Sequence, residues 1–343
     1  MELPLPPHWD PARVEDVWRV PYEQHAERAE EWARRHRIAP ARDDACRICL
    51  VVVDAQNTFC TPGFELFVPG APDDNRRLCE FVYRNLGTLT QIVPSLDTHR
   101  AMQVFHPVWL VDEEGNHPDP YTLVSAQDVE SGRWRLNPAA PESLGIDPEY
   151  AARQLAHYTR RLAEGGKYQL TIWPYHAMLG GIGHALVSAV EEAFFFHAIA
   201  RSSQPDFQVK GEHPLTEHYS MLGPEVTDGP DGEALAGKNT ALVERLLEFD
   251  AVVVAGQAKS HCVAWTIDDL LEGDDARVHR LAERIYLLED CTSPVVVPGV
   301  VDYTDEADAA FERFSRAGMH VVRSTTPLAE WPGISDRIPE AVS

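Results

Sequence analysis

The sequence lacks any apolar run of the roughly 18 residues that a membrane span requires. Its opening Met-Glu-Leu-Pro-Leu-Pro-Pro has neither the basic nor the apolar stretch of a signal peptide. A cytoplasmic location without a membrane partner is therefore expected. Cations are scarce: 30 Lys and Arg stand against 54 Asp and Glu, a formal net charge of -24. Nucleic acid binding needs clustered Lys and Arg, so it is not expected, and anionic membrane surfaces are disfavoured for the same reason. Cysteine is sparse as well. Cys46, Cys49, Cys60, Cys79, Cys262 and Cys291 are too few for a disulfide framework and read as reduced thiols. Cys46 and Cys49 form a lone C-x-x-C, which without a second pair reads as the start of a strand rather than a zinc or redox motif.

What remains is a globular balance, 44% hydrophobic and 24% charged in 343 residues, long enough to bury a core without staples. Residues 1–45 read as an N-terminal extension with one exposed or docking helix from Tyr22 to His36. Six short apolar runs come after it: Ile48–Val53, Ile92–Leu96, Phe207–Val209, Ala251–Ala255, Ile285–Leu288 and His320–Val322. Several are near-continuous Val, Ile and Leu, the mark of strands covered on both faces. Helical faces lie between most of them, such as Leu186, Val190 and Phe194, or Ala264, Ile267 and Leu271. Strand alternating with helix predicts an α/β fold with a doubly wound, six-stranded, mostly parallel sheet. The main domain is expected over residues 46–325, with a C-terminal tail at 326–343. Residues 107–170, rich in Pro, Gly, Asp and Asn, read as an aperiodic insert that caps the site or moves beside it. A second, shorter loop is expected at 223–236.

Ligands of open α/β sheets bind outside the carboxyl ends of the strands. Asp54 ends the first run, Asp97-Thr98-His99 the second, Lys210 the third, and Gly256 leads through Lys259-Ser260-His261 to Cys262. A thiol where a helix begins is stabilised as thiolate by free amides and the helix dipole, and those amides can hold an oxyanion. It can equally be a buried core cysteine. Asp54 and Lys210 can exchange the thiol proton and balance its charge, or can be a structural ion pair. Asp97 and His99, with His176 as third donor, suit zinc, iron or manganese; an Asp/His hydrogen bond without an ion is the other reading.

Taken together, Asp54-Ala55-Gln56-Asn57-Thr58-Phe59-Cys60, Ser95-Leu96-Asp97-Thr98-His99, Trp173-Pro174-Tyr175-His176, Val209-Lys210-Gly211 and Gly256-Gln257-Ala258-Lys259-Ser260-His261-Cys262-Val263 resemble the isochorismatase-like cysteine hydrolases. Within that family the likeness is greatest to nicotinamidase/pyrazinamidase, over residues 46–106 and 168–325. The resemblance implies a catalytic triad of Asp54, Lys210 and Cys262, and one divalent ion, zinc foremost and iron or manganese otherwise, on Asp97, His99 and His176. It also implies a cis peptide between Gln257 and Ala258, with the amides of Ala258 and Cys262 as oxyanion donors. Phe59 and Trp173 would sandwich an aromatic ring, with His261 and Tyr219 as further substrate contacts. The chain departs from the pattern at Thr58, where an acidic residue is usual. It departs again at His106, one position beyond the family's second histidine and so left outside the ligand set. The implied activity is hydrolysis of a carboxamide, nicotinamide or a related aromatic amide, to acid and ammonia through a thioester. The implied partners are a small-molecule amide and further copies of the chain in a homo-oligomer. The alternatives are a carbamoyl or larger ring-bearing amide as substrate, an isochorismatase-type vinyl-ether hydrolase, and a non-catalytic binding or scaffold member.

Overall fold

The computed structural model describes residues 2–166, 168–272 and 276–334. Six strands, β1 (Ile48–Val53), β2 (Leu89–Asp97), β3 (Gln208–Lys210), β4 (Ala251–Gly256), β5 (Ile285–Leu288) and β6 (His320–Val322), form one parallel sheet in the order β3-β2-β1-β4-β5-β6. Every residue of β1 and β4 is buried. The pleat divides β1 between two cores: Ile48, Leu50 and Val52 face one, Cys49, Val51 and Val53 the other. Helices therefore cover both faces, as the unbroken apolar runs require. The strand order reverses at β1 and β4, which is where such sheets open a crevice.

Helices α1 (Tyr22–His36), α2 (Ala71–Arg84), α3 (Pro148–Glu164), α4 (Ser188–Arg201), α5 (Ala264–Leu271) and α6 (Thr304–Arg316) pack around this sheet. Helix α1 docks on the main fold, burying His25, Ala29 and Trp32. The Trp18 N–H donates to Ser188 Oγ at 2.9 Å, and His25 Nε2 lies 3.1 Å from Glu192 Oε2. This cover explains why α4, with Phe194, Phe195 and Phe196 in a row, is apolar nearly all round.

Two expectations are corrected. Residues 107–170 are not structureless: they hold the 17-residue α3, whose Ala151, Leu155, Tyr158 and Leu162 are buried at helical spacing. Residues 326–334 are not a tail. Leu328, Trp331 and Ile334 are buried, and the Trp331 ring stacks on Phe81 of α2 and on Tyr286 of β5. The rest of the expected tail, 335–343, lies outside the described residues. Strand β2 starts three residues earlier than its apolar run, because Thr90 serves the sheet by accepting from the Ile48 N–H at 3.0 Å. Among the described residues no helix is long and apolar enough to cross a membrane.

Candidate active site

The crevice is built by strand ends. Val53 and Gly256 are register partners, so the residues after them emerge side by side. Gly256 has φ +109, and a Cβ there would sit 2.0 Å from the Val53 carbonyl oxygen. Only glycine lets β4 turn so close to β1. The Gln257–Ala258 peptide is cis, as the resemblance implies. A wide helical turn, Lys259–Val263, then carries Cys262 and runs into α5. Asp54 itself sits at φ +43, which turns its side chain into the crevice.

Asp54, Lys210 and Cys262 converge. Asp54 Oδ1 accepts from Ser95 Oγ at 2.6 Å, and Oδ2 lies 2.9 Å from Lys210 Nζ. Lys210 Nζ lies 3.6 Å from Cys262 Sγ and donates to the His218 carbonyl at 3.0 Å. Burial works against the Lys210 ammonium, but Asp54 and Asp97 outweigh it and hold the amine protonated. Burial raises the Asp54 carboxyl above its ordinary value, and Asp97 adds to this against the pull of Lys210. Burial likewise pushes the Cys262 thiol well up, with Lys210 opposing and Asp54 and Asp97 adding.

Asp97 links this group to a second one. Its Oδ1 lies 3.0 Å from Lys210 Nζ, and its Oδ2 lies 2.7 Å from His99 Nε2 and 3.7 Å from His176 Nε2. Asp97, His99 and His176 each offer a ligand atom within 4.8 Å of the others. The surroundings fit a divalent ion. His99 Nδ1 lies 3.2 Å from the Gly211 carbonyl and His176 Nδ1 2.8 Å from that of Pro174, contacts that turn each Nε2 towards Asp97 Oδ2. Gly211 has φ +86, and a Cβ on it would press within 2.7 Å of both Asp97 and His99. His106 is buried beside them, its ring 6.0 Å from each of the His99 and His176 rings. Its Nδ1 bonds the Ala101 carbonyl at 3.1 Å, while its buried Nε2 has no partner among the described residues. Sequence spacing passes over His106; an orphaned nitrogen at this place is what marks it.

The cleft above these groups is lined by Phe59, Trp173, Tyr219, His261 and Cys262 among others. All four expected substrate contacts thus share one cavity with the thiol. Among the described residues, no part of the segment 107–170 lines the cleft. The segment backs the wall instead: Tyr121 packs edge-on against Trp173, with centroids 6.1 Å apart, and Tyr168 donates to the Ser260 carbonyl at 3.1 Å. Glu217, a buried carboxyl in the same lining, carries no mark in the sequence.

No protein-family model matches the sequence, and a search of curated proteins returned no match. Solved structures do match. A yeast nicotinamidase is similar at 18% identity and a TM-score of 0.50, covering 80% of this chain and 99% of that one. The same yeast enzyme bound to the inhibitor nicotinaldehyde matches at 16% identity and 0.51, with 80% and 99% covered. N-carbamoylsarcosine amidase from Thermoplasma acidophilum matches at 16% identity and 0.40, covering 82% of this chain and 98% of its own. The chain has the isochorismatase-like hydrolase fold.

Proposed function

We propose that the protein is a cysteine amidohydrolase, hydrolysing nicotinamide or a related aromatic amide to acid and ammonia. One observation carries this reading: a thiol opening into an aromatic-walled cleft, with Lys210 3.6 Å away and paired to Asp54 at 2.9 Å. The fold shared with the yeast nicotinamidase agrees with it.

In the proposed course, the substrate ring lies between Phe59 and Trp173. Asp54 takes the proton of the Cys262 thiol as sulfur bonds to the amide carbon, and the amides of Ala258 and Cys262 receive the oxyanion. Collapse breaks the C–N bond while Asp54 returns the proton to the departing nitrogen, releasing ammonia and leaving a thioester. Water then attacks the thioester carbon with Asp54 as base, and the proton passes back to the Cys262 sulfur. A carboxyl raised by burial takes up a proton more readily than a free one. Lys210 offsets the negative charge that moves between Asp54 and sulfur. A divalent ion, zinc foremost, would be held by Asp97, His99 and His176 and would supply Lewis-acid polarisation at the cleft floor.

Ammonia release from a panel of aromatic amides, with and without added metal, tests the reading. Cys262→Ala and Asp54→Asn should each cut kcat by roughly ten-thousandfold or more. Cys60→Ser, whose thiol is buried outside the cleft lining, should stay active. Near-normal turnover in Cys262→Ala would end the cysteine-hydrolase reading.

A further inference from the structure

The cleft carries one group that amide hydrolysis does not use. Glu217 is only 6% exposed, yet it lines the cleft together with Cys262. Its Oε1 accepts from Trp173 Nε1 at 2.7 Å, and the same indole nitrogen lies 3.1 Å from the Tyr219 hydroxyl. Burial, with Glu225 adding, pushes the Glu217 carboxyl well up. Keeping a carboxyl away from water is costly unless its lone pairs are used. An indole N–H points out of the ring edge, so the carboxyl sits beyond the edge of Trp173. A ring stacked on the Trp173 face would bring its own substituents alongside that carboxyl.

The charge of the lining points the same way. Among the described residues it includes the carboxyls of Asp97 and Glu217 but neither Arg nor Lys. Lys210 lies behind, held by Asp54 and Asp97. A donor on the ring would meet the Glu217 carboxyl, whereas an anionic substituent would meet no Lys or Arg side chain in the lining.

We propose that Glu217 reads a hydrogen-bond donor on the body of the substrate, so that the cleft prefers amides whose ring bears an amine over neutral and anionic ones. This rests on the amidohydrolase reading and names its substrate class. Glu217 is thereby a specificity residue, distinct from a mere anchor for the Trp173 ring.

Three meta-substituted benzamides of similar size test it: aminomethyl (cationic), methyl (neutral) and carboxy (anionic). In the wild-type protein as purified, kcat/KM should favour aminomethyl over methyl by about tenfold or more, the worth of a hydrogen bond to a charged group. The carboxy compound should be poorest. In Glu217→Gln, which can still accept from Trp173, the aminomethyl-to-methyl ratio should fall towards one, and in Glu217→Leu it should invert. An anchoring role would instead lower all three together and leave the ratios unchanged. Equal efficiency across the series in the wild type, or a preference that survives in Glu217→Gln, would overturn the proposal. Equilibrium binding of the same compounds to the Cys262→Ser protein reads the ratios without turnover. Absence of hydrolysis with a preserved binding order would therefore sink the amidase reading and not the role of Glu217; a flat binding order would sink the latter.

Discussion

At the scale of single residues, Asp97 does the most joining. One oxygen meets Lys210 and the other meets His99, so the ammonium beside the thiol and the imidazole cluster share a carboxylate. Protein purified without chelators should carry one divalent ion per chain by elemental analysis. Asp97→Asn or His176→Ala should reduce that to a trace, since each removes one of three donors, and a metal-free wild type would refute the site. Asp54, Asp97, His99, Lys210 and Cys262 are legible in the sequence because each is a polar residue at or beyond the end of an apolar run, and His176 because it stands in Trp173-Pro174-Tyr175-His176. Ser95 and Glu217 are not, and His106 is legible only as a histidine one position from where the resemblance places it. Ser95 lies inside β2 and reads as an ordinary strand residue until its hydroxyl is found 2.6 Å from Asp54. Glu217 stands in a loop without period, and only the folding of that loop against Trp173 brings it to the cleft.

Among the elements, the strands other than β2 are legible nearly to the residue and the helices of the insert are not. Helix α3 hides its apolar stripe among Arg153, Arg160, Arg161 and Glu164, and Pro148, which suits the first turn of a helix, counts as a loop signal when read alone. The segment 326–334 reads as a tail because Pro327, Pro332 and Gly333 interrupt its three apolar residues. Its worth can be measured: Trp331 is 1% exposed and donates to the Thr326 carbonyl at 3.0 Å. Trp331→Ala should cost about 3–5 kcal/mol in chemical denaturation. A loss below about 1 kcal/mol, closer to the range for surface changes, would mean that the segment merely rests on α2.

For the whole molecule, the doubly wound class follows from alternation of apolar run and helical face, but the strand order does not, because pairing between distant strands leaves no local mark. Acid sensitivity is a property of the whole fold. Burial lowers His197 to about 4 and His261 to about 3. In the unfolded chain both titrate near about 6.5, so below that pH the unfolded state binds more protons and gains on the folded one. Stability supplied by these neutral rings is complete above about pH 6.5 and is lost as pH falls through their folded values. The urea midpoint should therefore drop between about pH 7 and pH 5, and His197→Gln should flatten the slope; a midpoint constant over that range would contradict this. The pairing of β1 with β4 has a further consequence for the growing chain. Ile48 meets Ala251 across the sheet although most of the domain lies between them in sequence, so contacts of this kind form late and slowly. During synthesis β1 leaves the ribosome long before the strand that covers its open edge, and Asp54 waits equally long for its thiol. A nascent chain stalled before residue 251 would present a bare strand of Val, Ile and Leu, open to stray pairing, and it would be catalytically inert for want of Cys262.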